Sequence, residues 1–153
     1  MPCWVGLAGN TYLVATNYFF MTNGNIDLGL LVLRVWFGLE MALMHGLPKL
    51  IKVLNGDMTF ADPLGIGMGV SLVLAVFGEF VCGILIAAGF FTRLACIPFI
   101  ITMLVAAFIS HGDDGWGKMA LPLMYVVAGV VLLITGPGRL SADHQLFVRK
   151  VEG

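Results

Sequence analysis

Charge is scarce in this sequence. Of 153 residues, 11% are charged and 59% are hydrophobic, where soluble domains carry roughly 25% charged residues. Mean hydropathy is +0.99. That excludes an ordinary soluble domain and marks an integral membrane protein of one domain. The formal net charge of −1 gives no basic field for nucleic acid, and no nucleic-acid motif appears. The three cysteines, Cys3, Cys82 and Cys96, form no CxxC, which removes the thioredoxin-like and zinc signatures. Cys82 and Cys96 lie in apolar segments and read as small buried hydrophobes. Lys and Arg are absent from residues 1–25, so the secretory-signal pattern is missing too. A flavin motif and a convincing haem pair are also lacking. The chain carries no visible redox centre of its own.

What is present is a set of long apolar segments. Residues 1–26 read as an interfacial or poorly ordered leader, with Trp4, Tyr12, Tyr18, Phe19 and Phe20 suited to a membrane interface. Asn23-Gly24-Asn25 is a turn signal. The first span is expected from about Asp27 to His45, where Pro48 bends or ends it. Lys49 to Leu54 then looks like an amphipathic continuation along the membrane surface. The second span is expected from about Ile66 to Phe90, with glycines that let helices approach closely. Phe91-Thr92-Arg93 makes a tight hairpin to a third span ending near Ser110. The fourth runs from about Met119 to Thr135 and stops at Gly136-Pro137-Gly138. Ser141 can cap a short tail that carries Asp143, His144, Arg149 and Lys150.

The expected fold is therefore all-α: a four-helix transmembrane bundle, up-down-up-down, over residues 27–143, with a cytoplasmic tail at 144–153. Both termini fall on the side that holds Arg93, Arg139, Arg149 and Lys150. The other side holds Lys49, Lys52 and Lys118. The positive-inside rule places the termini in the cytoplasm.

Against this apolar background a few polar residues stand out. Arg34, Gly38 and His45 are spaced by four and seven residues, which keeps them on one helical face. Glu79 is the one charge of the second span. Arg34 lies roughly 10 Å, and Glu79 roughly 16 Å, from the same end of their helices. A long arginine side chain covers that gap, so an Arg34–Glu79 pair is expected. An unpaired charge at such depth costs at least ~2.5–3.5 kcal/mol. The pair either locks two helices together or forms part of a polar site that binds a ligand headgroup or relays a proton. Arg34, His45 and Glu79 are the candidates for that site. Glu40, about 240° around the helix from Arg34, points elsewhere, towards another subunit or lipid. His45 and His111 fall near the same membrane face and are weak candidates for a metal or haem. The plainer reading is that each bonds a local partner.

The order of these motifs resembles the DoxX family. Arg34, Gly38, His45-Gly46 and Lys49-Leu50 look like its opening. Glu79, Gly83, Leu85, Gly89 and Thr92-Arg93 come next. Gly136-Pro137-Gly138-Arg139, Ser141 and Asp143 resemble its closing motif. Glu40 sits where that family usually has an apolar residue. The resemblance implies a four-helix protein of the bacterial cytoplasmic membrane. It also implies kinship with the small membrane subunit of a thiosulfate:quinone oxidoreductase. One expectation is then a quinone-interacting subunit, with a quinone as ligand and the redox centre in a partner. The alternative is a non-enzymatic accessory or assembly subunit. Partners would be lipid, other membrane subunits or further copies of the chain.

Overall fold

A computed structural model describes residues 24–148. The expected leader up to residue 23 and the tail beyond residue 148 lie outside the described residues. Four long helices dominate the rest. Helix α1 runs without a break from residue 24 to 54, α2 is Met68–Ala88, α3 is Thr92–Ser110 and α4 is Trp116–Thr135. Residues 24 and 25 are helical, so the turn expected at 23–25 gives way to helix there. Helices α2, α3 and α4 are long and apolar enough to cross a membrane. Their outward faces carry exposed Val70, Val73, Leu94, Ile97, Val127 and Ile134. In water that surface would be a liability; in lipid it is the solvated face.

The packing follows from small residues. Gly38 of α1 faces Gly83 of α2 so closely that a Cβ on Gly38 would lie 2.6 Å from the Gly83 carbonyl oxygen. A Cβ on Gly46 would lie 2.6 Å from the amide nitrogen of Phe80. These contacts let the two backbones touch, as small residues do between transmembrane helices. Helix α3 packs along both α2 and α4, and Phe37 of α1 meets Tyr125 of α4 edge-on at 5.4 Å. Phe99, Leu72, Ile86 and Leu132 are fully buried, together with Cys82 and Cys96, both free thiols.

Three helices widen into a π turn: Met41–Gly46 in α1, Phe77–Val81 in α2 and Ala106–Ser110 in α3. The first changes the expectation for Pro48. The proline neither ends nor breaks α1, which continues to Leu54. The wide turn directly before it gives the ring space that a regular helix denies. As a result Lys49 and Lys52 extend α1 itself instead of starting a separate surface segment.

The connection from α2 to α3 is as short as expected. Gly89 adopts a left-handed conformation (φ 70°) and Phe91 has φ 47°. The segment after α4 folds back over this turn. The Asp143 carboxylate accepts the amide N–H of Phe91 at 2.7 Å and of Thr92 at 3.0 Å, and so caps α3 from a distant part of the chain. Ser141 Oγ accepts the His144 amide at 3.2 Å, the cap expected for that serine. Asp27 accepts the Arg139 amide at 2.9 Å.

Candidate functional site

The long residues of the first span go to opposite ends of the molecule. Arg34 is 2% exposed. Its Nη1 donates to the carbonyl of Ala87 at 2.9 Å, and its Nη2 to the carbonyl of Leu140. Ala87 lies in the last turn of α2, where carbonyls lack helical partners. Leu140 belongs to the closing segment. Arg34 thus ties α1, the end of α2 and the C-terminal return into one knot, next to Gly89 and Ser141.

Arg34 and Glu79 therefore do not pair. The two terminal nitrogens of the arginine are committed to carbonyls near its own end of the bundle. Glu79, 5% exposed, accepts instead from Lys49 Nζ. The reason is the continuous α1. With no break at Pro48, Lys49 sits one helical turn beyond His45, and its side chain reaches inward to the π turn of α2. A buried carboxylate needs an opposite charge or a proton, and the nearest cation on this backbone is Lys49.

Around that pair lies a chamber of about 140 Å³. Met41, His45 and Lys49 enter it from α1, Glu79 from α2, Met103 and Ala106 from α3, and Tyr125 from α4, with His111 and Lys118 at one edge. Each of the three π turns contributes a lining residue: Met41 and His45, Glu79, and Ala106. Turns of this kind occur often at functional sites because they turn a side chain out of register. Two of the expected candidates, His45 and Glu79, thus share one chamber. Arg34 lies outside it.

The chamber's edge is tied by ions. His111 Nδ1 lies 2.9 Å from Asp114 Oδ2, and Lys118 Nζ lies 3.2 Å from Asp114 Oδ1. The His111 hydrogen bond, with Lys118 adding to it, holds the Asp114 carboxyl below the usual carboxylate range. His45 Nε2 comes within 3.9 Å of Glu40 Oε1, and its ring lies edge-on to Tyr125 at 6.4 Å. His45 and His111 line the same chamber. Even so, among the described residues no group of three or more His, Cys, Asp or Glu is placed to hold a metal.

Sequence reasoning missed Lys49, Lys118 and Tyr125. A signal for Lys49 was present: His45 and Lys49 are four apart and share a helical face. That signal counts only if the helix survives Pro48. Nothing in the spacing of α4 singles out Tyr125, which is 4% exposed and lies edge-on to Phe37, His45 and Phe99.

Comparison with known proteins places the chain in a family context. The DoxX family matches residues 29–112. The inner membrane protein YphA of Escherichia coli is 34% identical over 113 residues, which is 67% of this chain and 80% of the relative. The Bacillus subtilis protein named "Putative oxidoreductase CatD" is 26% identical over 132 residues, 86% of this chain and 96% of the relative. No solved structure matches.

Proposed function

The chain belongs to the DoxX family, and from that premise we propose that it is a redox-linked membrane subunit whose chamber around Glu79 holds the polar head of a quinone. One observation carries the reading. An ion pair with a buried carboxylate and a part-buried ammonium, Lys49–Glu79, borders an open chamber instead of packed side chains. Intramembrane ionisable residues that line a cavity mark sites more often than mere struts. The oxidoreductase name of a relative that aligns along most of this chain supports the same direction.

The residues suit such a head chemically. A quinone carbonyl accepts hydrogen bonds, and the Lys49 ammonium, a His45 N–H and the Tyr125 hydroxyl are donors. When bound, the quinone carries electrons and protons between membrane proteins. Glu79 and His45 are groups that can hold or release a proton beside a carbonyl oxygen. Lys49 holds the Glu79 carboxylate in place at the chamber wall. Arg34 positions the helices at the far end and touches no ligand. The electrons come from a redox centre in a partner protein.

In this reading α1 also crosses the membrane, as the first span of an up-down-up-down bundle in a bacterial cytoplasmic membrane, with both termini cytoplasmic. The test is gentle purification of the full chain with mass spectrometry of bound quinones, lipids and proteins. Stoichiometric quinone, lost in Glu79→Gln and Lys49→Met and kept in Arg34→Lys, supports the proposal. Stoichiometric partner subunits without quinone, in the native chain and the variants alike, refute it.

The second reading, an accessory subunit, draws on the outer face of α1. There Glu40 keeps one carboxylate oxygen buried without a partner, beside an apolar groove of Val35, Trp36, Leu39 and Leu43. A neighbouring subunit that supplies a donor to Glu40 would complete that face. The same purification separates the two readings.

A further inference from the structure

The chamber is not the end of the cavity system. A second pocket, about 210 Å³, lies between α2 and α3 beneath the loop that joins α1 to α2. Its walls are mostly apolar: Leu64 from the loop, Leu74 and Phe77 from α2, Pro98, Ile101 and Val105 from α3. Glu79 and Ala106 line both this slot and the polar chamber. Phe60 joins them a second time: it lines the slot and lies under Lys49, whose Nζ is 5.8 Å from the ring centre. Polar chamber and apolar slot therefore meet at Glu79.

We propose that the slot takes the isoprenoid tail of the ligand whose head occupies the chamber, so that the quinone reaches Glu79 sideways from the bilayer between α2 and α3. This rests on the quinone reading of the chamber. Two observations favour a tail over a second small ligand. The slot opens on the face where Leu74 and Ile101 are exposed, each at least half, so a chain can run out into lipid. The joint with the chamber falls at a carboxylate and a small alanine, which leaves room for a head-to-tail junction. The loop above the slot is built to stay in place. Asp62 accepts the amides of Ile66 and Gly67 and the Ser71 hydroxyl at 2.8–3.0 Å, and Lys52 donates to the Thr59 carbonyl at 2.6 Å.

The test uses the full chain in lipid nanodiscs and a naphthoquinone whose first tail unit carries a diazirine. After illumination, labelled peptides are mapped, with unlabelled quinone as competitor. Expected is competable labelling within 60–77 and 98–105. Leu74→Trp and Ile101→Trp, at exposed positions on the mouth of the slot, should each abolish most of it by filling the space the tail needs. Competable labelling on the α1 outer face or on α4 instead would overturn the slot and leave the chamber reading standing. No competable labelling anywhere would sink both.

Discussion

Replacing Lys49 with Met is the sharpest test of the pairing. Met keeps most of the lysine's volume, so packing changes little. Glu79, with its side chain 6% exposed, then has no counter-ion. Removing one partner of a buried pair costs about 3–5 kcal/mol. The lower end applies here, because the Lys49 side chain is 22% exposed and the pair is only partly desolvated. Lys49→Met should therefore lose about 3 kcal/mol. Glu79→Met should cost only about 1 kcal/mol, since the Lys49 side chain is 22% exposed and its ammonium can reach water. The double variant should return to within about 1 kcal/mol of the native chain. Reversible unfolding in mixed micelles, run as a double-mutant cycle, measures all three. Additive costs would refute the ion pair and with it the reason for calling this chamber a site.

Four further outcomes rest on the geometry. Arg34→Met strips the Ala87 and Leu140 carbonyls of their donor. It should lower stability by about 2–4 kcal/mol while folded protein keeps its bound quinone; equal loss of quinone in folded protein would return Arg34 to the site. Gly38→Ala sets a Cβ 2.6 Å from the Gly83 oxygen and should cost about 1–3 kcal/mol by forcing α1 from α2; an unchanged unfolding midpoint would show that this contact is loose. Asp143→Ala removes the cap on Phe91 and Thr92 and should cost about 1 kcal/mol, read as faster amide exchange at residues 91–93. The Asp62 carboxyl is held below the usual range, first by the Ser71 hydroxyl and then by the Gly67 amide. Its stabilising hold on the start of α2 is thus complete above about pH 4 and lost as pH falls through its depressed value. Amide protection at 66–71 should fall only in that acid range and should be insensitive to acid in Asp62→Asn.

The α-helical class, the tight α2–α3 turn, the end of α4 and the cap by Ser141 were all legible, because each rests on local chemistry: apolar runs, glycine at positive φ, a hydroxyl three residues before an amide. The partners of the charges were not. Depth along two separate helices brought Arg34 and Glu79 within reach, but depth says nothing about competing acceptors. The carbonyls that claim Arg34 belong to a helix end and to a segment 106 residues away. Lys49 was hidden by Pro48. Read locally, a proline after an apolar run closes a helix. Only the π turn before it, which no sequence rule supplies, keeps the lysine in line with the core.

That turn also explains why the chamber exists. A π turn adds one residue to a helical circuit, so the side chains beyond it are rotated relative to those before it. In α1 the rotation keeps Gly38 against Gly83 while His45 and Lys49 face inward. In α2 it brings Glu79 into the interior at the level where Gly46 lets the two backbones meet. Three regular helices packed this closely would fill the centre with side chains, as they do around Phe99 and Leu132. Three widened turns, each with a residue on the chamber wall, open it instead. The end of the molecule held by Arg34 has no such turn in α1 or α2. There both terminal nitrogens of Arg34 and the Asp143 carboxylate close the chain, which fits a clasp, while the widened end keeps its charges beside open space, which fits a site.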